Sequence, residues 1–419
     1  MEEFYTPEVE VINSPLVVEE PIVSSASEVE EEDHVDLEKT KQLVYDAIFT
    51  ELKFPQGFDK EDMILFIRDV EFPQETDDES IEEYKQECLN IIKEKMFPSQ
   101  EQNEEEDTLE LTPDFIADRL SDLQSVEGDS LSFAFTTFSV SEADIANVSA
   151  LSSYQTLRYI KLESNLISDI SPLTNISGLR ELYLAGNKIT SFDNISFPCL
   201  EILDLRQNQI KTIEKLLIPK LKKLFLSQNK ICFISPNAFS DLNELNELDL
   251  TENKLHKFKE NTFLGLNKIE TFNLSQNLIE ECDFGEIHTL KSLSIGGNSF
   301  DTINGIRSLK SLEKLDLQMS SIANINDLKD LSELKHLESI ALDGSPVCDV
   351  EAFRIEIILL VPSIEEINGE EVNDAERQEA EEMEAERKRK EAEESEINNS
   401  TENADDENNT VSDSAYESH

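Results

Sequence analysis

An eleven-residue pattern of apolar residues returns ten times between Phe135 and Val347, and few folds are open to a chain built on it. Written LxxLxLxxNxL, it stands almost unbroken as LRYIKLESNLI (Leu157 to Ile167), LRELYLAGNKI (Leu179 to Ile189), LEILDLRQNQI (Leu200 to Ile210) and LKKLFLSQNKI (Leu221 to Ile231). With the pattern numbered 1 to 11, positions 4 and 6 straddle a single residue. That is strand alternation, so positions 3 to 7 predict a short strand with 4 and 6 pointing inward. One such unit cannot bury its own leucines. Stacked units share one parallel sheet on the inner face and one continuous apolar core, which predicts an α/β solenoid. Position 9 is Asn at 165, 187, 208, 229, 253, 277 and 298. The chain turns there, and a buried amide that donates and accepts at once can bridge successive turns as a ladder. These asparagines read as fold, not as site.

The position-9 residues, from Ala143 to Ser345, are spaced 22, 22, 21, 21, 24, 24, 21, 22 and 25 residues apart. The two 24-residue units share a Phe and Leu placement in their outer segments, Phe239 with Leu242 and Phe263 with Leu266. The outer face is therefore widest in the middle. An open solenoid exposes its core at both ends and needs caps. Residues 348–372 read as the C-terminal cap: Phe353, Ile355, Ile358 and Leu359 have helical spacing and Pro362 stops the helix. Residues 111–134 read as the N-terminal cap, with an amphipathic helix over Leu111 to Val126 that sets Phe115, Ile116, Leu120 and Leu123 on one side.

Acidity divides the chain. Residues 1–134 hold 9 Lys/Arg against 39 Asp/Glu and residues 370–419 hold 5 against 19, out of a total net charge of −55. Residues 135–369 between them hold 22 against 33, so the solenoid is only mildly acidic. Residues 1–37 contain no Lys or Arg and 12 acids, the composition of a disordered tail. Residues 38–97 carry apolar residues at helical spacing and predict a small three-helix unit, joined to the repeats by an acidic linker at 98–110. About 60 residues is marginal for independent folding, so this unit is expected to dock on the solenoid or fold on a partner. Residues 373–395 read as a charged, solvated helix, and 396–419 as a disordered tail.

Much chemistry is missing from the sequence. His256, His288 and His336 stand alone, with no metal-ligand spacing around them. There is no phosphate-binding loop, no nucleophile elbow and no dinucleotide fingerprint, so the chain is expected to have no catalytic residues, no metal, no cofactor and no small-molecule ligand. A net charge of −55 repels a phosphate backbone, so nucleic acid is not an expected partner. The opening residues do not read as a secretory leader, and no apolar run approaches the roughly 20 residues of a membrane span. Cys88, Cys199, Cys232, Cys282 and Cys348 are odd in number and scattered, which favours a reduced compartment, the cytoplasm.

Function then falls to binding. Positions 3, 5 and 7 face the concave side. Their aromatic and apolar residues, Tyr159, Tyr183, Ile202 and Phe225, are confined to the first four full repeats. Adjacent strands are about 5 Å apart, so these residues predict one patch. Lys161, Arg206, Lys222 and Lys223 lie around it, with Arg158 and Arg180 at its edge. Aromatic anchors beside Arg are typical of interface hot spots. Tyr159, Lys161, Tyr183, Ile202, Arg206, Lys223 and Phe225 are accordingly the expected protein-binding residues.

The pattern is identified as the leucine-rich repeat, which implies a horseshoe-shaped solenoid. Two stretches resemble the radial-spoke-stalk repeat proteins of motile cilia in particular. They are LSSYQTLRYIKLESNLISDISPLTNISGLRELYLAGNKI with FPCLEILDLRQNQI, and LSELKHLESIALDGSPVCDVEAFRIEIILLVPSIEEINGEEVNDAERQEAEE. The resemblance covers roughly residues 130–395. It implies an axonemal scaffold of the cilium or flagellum that binds other spoke subunits and catalyses nothing. The cap and short repeats are shared with a repeat-containing phosphatase regulator, which is the second reading. An acidic nuclear protein shielding basic partners is a third, although Asn, Ser and Thr interrupt the acidic tail.

Overall fold

Each repeat can satisfy its backbone only against its neighbours, and the fold follows from that. The computed structural model describes residues 32–73, 78–97, 108–126, 129–259, 261–281, 283–285 and 287–409. Strands β1 (Leu120–Val126) and β2 (Asp129–Ser139) open a thirteen-stranded sheet. β3 (Tyr159–Lys161), β4 (Glu181–Tyr183) and β5 (Ile202–Asp204) continue it in parallel. Two short outer strands, β6 (Thr212–Ile213) and β8 (Phe233–Ile234), pair with each other beside the main sheet. The main sheet goes on through β7 (Lys223–Phe225), β9 (Glu247–Asp249), β10 (Thr271–Asn273), β11 (Ser292–Ser294), β12 (Lys314–Asp316) and β13 (Ser339–Ala341). β14 (Glu366–Ile367) and the antiparallel β15 (Glu370–Glu371) close it.

The middle residue of each inner strand, such as Ile160, Leu182, Leu203, Leu224 and Leu248, is fully buried in one core. Phe239 and Leu242 of the first long repeat fill its outer half. Position 8 adopts left-handed backbone throughout, at Glu142, Ser164, Gly186, Gln207, Gln228, Glu252, Gln276, Gly297, Met319 and Gly344, with φ between 53 and 76°. That turn throws the chain out of the sheet and drops position 9 into the interior. Asn187 shows what the amide does there. Its Nδ2 donates to Leu162 O of the preceding coil and to Leu184 O of its own, both at 2.9 Å, and its Oδ1 accepts from Ile167 N at 3.0 Å. Ser320 and Ser345 continue the ladder with hydroxyls 2.9 Å apart, and Asn368 of the cap accepts from Leu342 N at 2.7 Å.

The helical unit docks on the flank of the solenoid, where the chain leaves position 11, and not on the concave rows. Its helices are α1 (Glu32–Glu51), α2 (Lys60–Ile67) and α3 (Asp78–Met96). The first begins inside the stretch expected to be a disordered tail; the rest of that tail, residues 1–31, lies outside the described residues, as does 98–107 of the linker. Ile48, Met63, Ile67, Leu89 and Ile92 form a second core, and the solenoid contributes Cys232 and Phe233 to it. Phe233 meets Phe58 edge-on at 5.1 Å. Gly57 lies at the closest approach: its φ is +84°, and a Cβ there would stand 2.5 Å from Pro236 Cδ.

Solenoid side chains also hold the helix ends. Lys211 Nζ donates to Glu94 O and Phe97 O at the C-terminus of α3, where carbonyls lack intrahelical partners. At the N-terminus of α2, Asp59 accepts from Glu61 N and Asp62 N, and Lys259 pairs with Asp59 at 2.6 Å and Asp62 at 2.9 Å. Arg68, just past α2, pairs with Glu280 at 2.6 Å.

The N-terminal cap differs from expectation. The helix expected over Leu111 to Val126 stops after α4 (Pro113–Ala117). The chain then enters β1, which pairs antiparallel with β2, with Leu120 opposite Phe138 and Leu123 opposite Phe135. Of the residues assigned to one apolar helix face, Ile116 is buried and Leu123 is 59 % exposed. Pairing with β2 gives six residues of β1 a partner, where a short isolated helix would be marginal.

At the other end, α5 (Phe353–Leu360) covers the last coil and is followed by Pro362. The charged helix α6 (Asp374–Asn409) runs past residue 395, through part of the stretch expected to be a disordered tail; 410–419 lie outside the described residues. Pairs such as Glu384–Lys388 and Glu386–Lys390 support it one turn apart. Arg354 fastens its start, donating to Glu376 at 2.6 Å and to Ile367 O at 2.9 Å.

Candidate protein-binding face

Alternation along three-residue strands decides what the concave face presents. The middle residue points into the core, so the flanking residues line two rows across the sheet. One row reads Tyr159, Glu181, Ile202, Lys223, Glu247; the other reads Lys161, Tyr183, Asp204, Phe225, Asp249. All seven residues singled out from the sequence therefore lie on one face of β3, β4, β5 and β7, with Arg206 at position 7 reaching back over it.

Their side chains are already held. Lys161 Nζ sits 5.5 Å from the centre of the Tyr183 ring, and the Arg206 guanidinium 5.5 Å from that of Phe225. Arg206 also grips the buried Asp204 carboxylate with both arms, Nε to Oδ1 at 2.9 Å and Nη2 to Oδ2 at 2.6 Å. Tyr183 donates its hydroxyl to Glu181 at 2.8 Å. Burial, then this bond to a carboxylate, pushes the Tyr183 phenol up to about 12, so it stays a donor at neutral pH. Tyr159, Tyr183, Ile202 and Phe225 are each half-buried. Anchors fixed in this way lose little conformational entropy when a partner arrives.

The cations around the patch are mostly spent inside the molecule. Arg206 is bound to Asp204, Lys223 to Glu247 at 2.6 Å, and Lys222 to Glu201 at 2.6 Å. Two features escaped the sequence reading. The first is the Arg206–Asp204 clamp, which the i, i+2 spacing on one strand face could have signalled. The second is the ribbon of β1 and β2, where Leu123, Phe133 and Phe135 are 59, 60 and 44 % exposed. The period-two run SFAFTTF from Ser132 to Phe138 carried that signal.

Burial pushes the Cys232 thiol up to about 12, and its Sγ packs 3.3 Å from Met96 Sδ. Cys88, Cys199, Cys232 and Cys348 are free thiols, and Cys282 lies outside the described residues. Among the described residues no cluster of His, Cys, Asp or Glu is arranged to hold a metal ion, and no helix is long and apolar enough to cross a membrane.

Three family models match the chain: leucine-rich repeats (2 copies) over residues 177–218, and two leucine-rich repeat models over 219–280 and 258–397. Leucine-rich repeat-containing protein 23 of Homo sapiens is 34 % identical over 104 residues, and that of Bos taurus 32 % identical over the same length. Each match covers 25 % of this chain and 30 % of the relative. The chain thus spans less than a third of the length of these curated relatives. Among solved structures, a repeat protein of Leptospira interrogans superposes with a TM-score of 0.47 at 22 % identity, covering 55 % of this chain and 60 % of its own. A chain from the complex of Latrophilin 3, Unc5D and FLRT2 gives 0.48 at 22 % identity, covering 55 % and 83 %. These likenesses are of fold alone.

Proposed function

The chain belongs to the leucine-rich repeat proteins, and from that premise we propose that it is a non-enzymatic scaffold of the ciliary or flagellar axoneme that binds a protein partner through the patch on β3 to β7. The observation that carries the binding reading is the concentration of half-buried aromatic anchors on adjacent strands. Tyr183 and Phe225 each lie under a cation, and Tyr159 and Ile202 occupy the neighbouring row. Interfaces draw most of their energy from a few such anchors. Tyr159, Lys161, Tyr183, Ile202, Arg206, Lys223 and Phe225 are the residues assigned to the contact. The axonemal part rests on the resemblance of residues 130–395 to the radial-spoke repeat proteins. The partners it points to are spoke subunits.

The test is purification of the tagged full-length chain from cells of its own organism, followed by mass spectrometry. Recovery of axonemal spoke subunits is the expected result. Recovery of a phosphatase catalytic subunit or of histones instead would overturn the axonemal assignment.

A further inference from the structure

We propose that the segment this face takes from its partner is apolar at one end and cationic at the other, and that its apolar end also seats on the ribbon of β1 and β2. This rests on the scaffold reading above and adds the chemistry of the occupant.

The apolar half of the argument is one of parity. Thr137 of β2 lies in register with Tyr159, so it belongs to the first concave row. Side chains of a strand alternate, which puts Phe135 and Phe133 on the same side as Thr137. Leu123 stands directly opposite Phe135 in the antiparallel ladder, and cross-strand partners share a face. The ribbon therefore continues the concave surface beyond β3, toward the N-terminal end. Leu123, Phe133 and Phe135 together leave on the order of 300 Å² of apolar side chain in water, the scale of the largest apolar patch on a typical monomer, which is often functional. No described segment of the chain covers them.

Charge selects the occupant. Arg206 and Lys223 are taken up by Asp204 and Glu247. Beyond the patch on the same face, Asp249, Asp316 and Asp343 accept hydrogen bonds from Thr251 and Gln318, and among the described residues they form no ion pair. Against these three carboxylates stands Lys314. Phe225 and Asp316 lie on strands four ladder steps apart, about 19 Å along the sheet at about 4.8 Å per step. The face thus reads apolar and aromatic at one end and acidic at the other. A partner segment with apolar side chains followed by Lys or Arg matches both ends. Residues 1–37 of this chain, with 12 acids and no Lys or Arg, do not. Nor does a second copy, whose net charge is also −55.

The test uses the full chain and two synthetic peptides of about 18 residues, which reach about 59 Å when extended. They share one leucine-rich half and carry Lys or Glu along the other half. Binding is read by fluorescence anisotropy at about 0.15 M salt, where long-range attraction is screened beyond about 8 Å. The Lys peptide is expected to bind at least about a hundredfold more tightly than the Glu peptide. Phe133→Ser with Phe135→Ser, and separately Asp249→Lys with Asp316→Lys, should each weaken it by about tenfold or more. Glu379→Lys with Glu381→Lys changes net charge equally, but on the exposed side of α6, and should change affinity less than about threefold. Equal losses in the α6 and concave variants would mean non-specific attraction and overturn the proposal. So would unchanged binding by the ribbon variant, or a dimer in sedimentation that the ribbon variant abolishes. If Tyr183→Asp with Phe225→Asp loses a partner captured from cells while the ribbon and Asp variants keep it, the concave patch stands and this inference alone fails.

Discussion

Replacing Asn208 by Ala lowers the unfolding free energy by about 4 kcal/mol, while Gln207→Gly, one residue earlier, stays within about 1 kcal/mol of wild type. The two side chains differ in what they hold. Asn208 donates to Leu184 O at 3.0 Å and Leu205 O at 3.1 Å and accepts from Ile189 N at 3.0 Å, joining two coils inside the core. Alanine leaves Ile189 N unpaired in the core, at about 1–3 kcal/mol, and removes one of the two amide donors to Leu184 O and to Leu205 O, which keep Asn187 and Asn229; each lost bond adds about 0.5–1.5 kcal/mol. Gln207 is exposed, and its φ of +55° is a conformation glycine adopts freely. Because stability in a solenoid passes between neighbours, the damage should spread as amide exchange on both sides of the lost rung. Urea unfolding of the two variants decides the matter. An Asn208→Ala chain as stable as wild type would remove the ladder from the account.

Phe233→Asp should detach the helical unit while leaving the repeats folded. Phe233 is buried at the seam against Phe58, in a core that the helices cannot complete alone. Removing it forfeits roughly 1.5–3 kcal/mol of apolar burial, and a carboxylate there adds a desolvation cost on top. The expected readout is fast amide exchange across residues 44–92 with protection retained in β3 to β13. Protection of 44–92 equal to wild type would contradict the described seam.

Acid should loosen the same seam in the wild-type chain. The His256 ring lies against Phe66, with its Nδ1 buried and without a hydrogen-bond partner. Burial, and then nearby Arg68, hold its pKa below the ordinary value; Lys95 acts in the same sense, while Glu280 and Asp69 oppose them. The undocked ring takes up a proton near its ordinary pKa of about 6.5 and the docked ring resists it. Docking is therefore fully supported above about pH 6.5 and weakens as pH falls below it. Asp59, whose burial is outweighed by its bonds to Lys259 and the start of α2, is also held low, but it acts only below the ordinary carboxylate range. A seam that exchanges equally at pH 7.5 and 5.5 would remove His256 from this role.

The inner strands and the asparagine ladder were legible because each repeat writes the same physics again. An error in one copy is corrected by the next. The patch was legible for a related reason: once Leu182 and Leu224 are known to point inward, Tyr183 and Phe225 must point out. The ends had no such redundancy. Phe115, Ile116, Leu120 and Leu123 fit a helical stripe as well as they fit a short helix followed by a strand, and only pairing with Phe133–Phe138 decides between them. The docking of the helical unit was open for another reason. Lys211, Cys232 and Phe233 follow position 11 like other outer residues, and nothing local marks them as a seam. The cations around the patch were legible but their partners were not; Asp204 and Glu247 take up Arg206 and Lys223.

The claim that this face binds a protein is tested most directly by paired capture. Tagged wild-type chain and the Tyr183→Asp, Phe225→Asp double variant would be recovered from the same cells and their bound proteins quantified side by side. The two anchors lie on the surface row, so the variant should melt with the wild type. Its principal partner should fall by about a hundredfold, the scale of losing two hot-spot anchors. Equal recovery of that partner by a folded double variant would contradict the account.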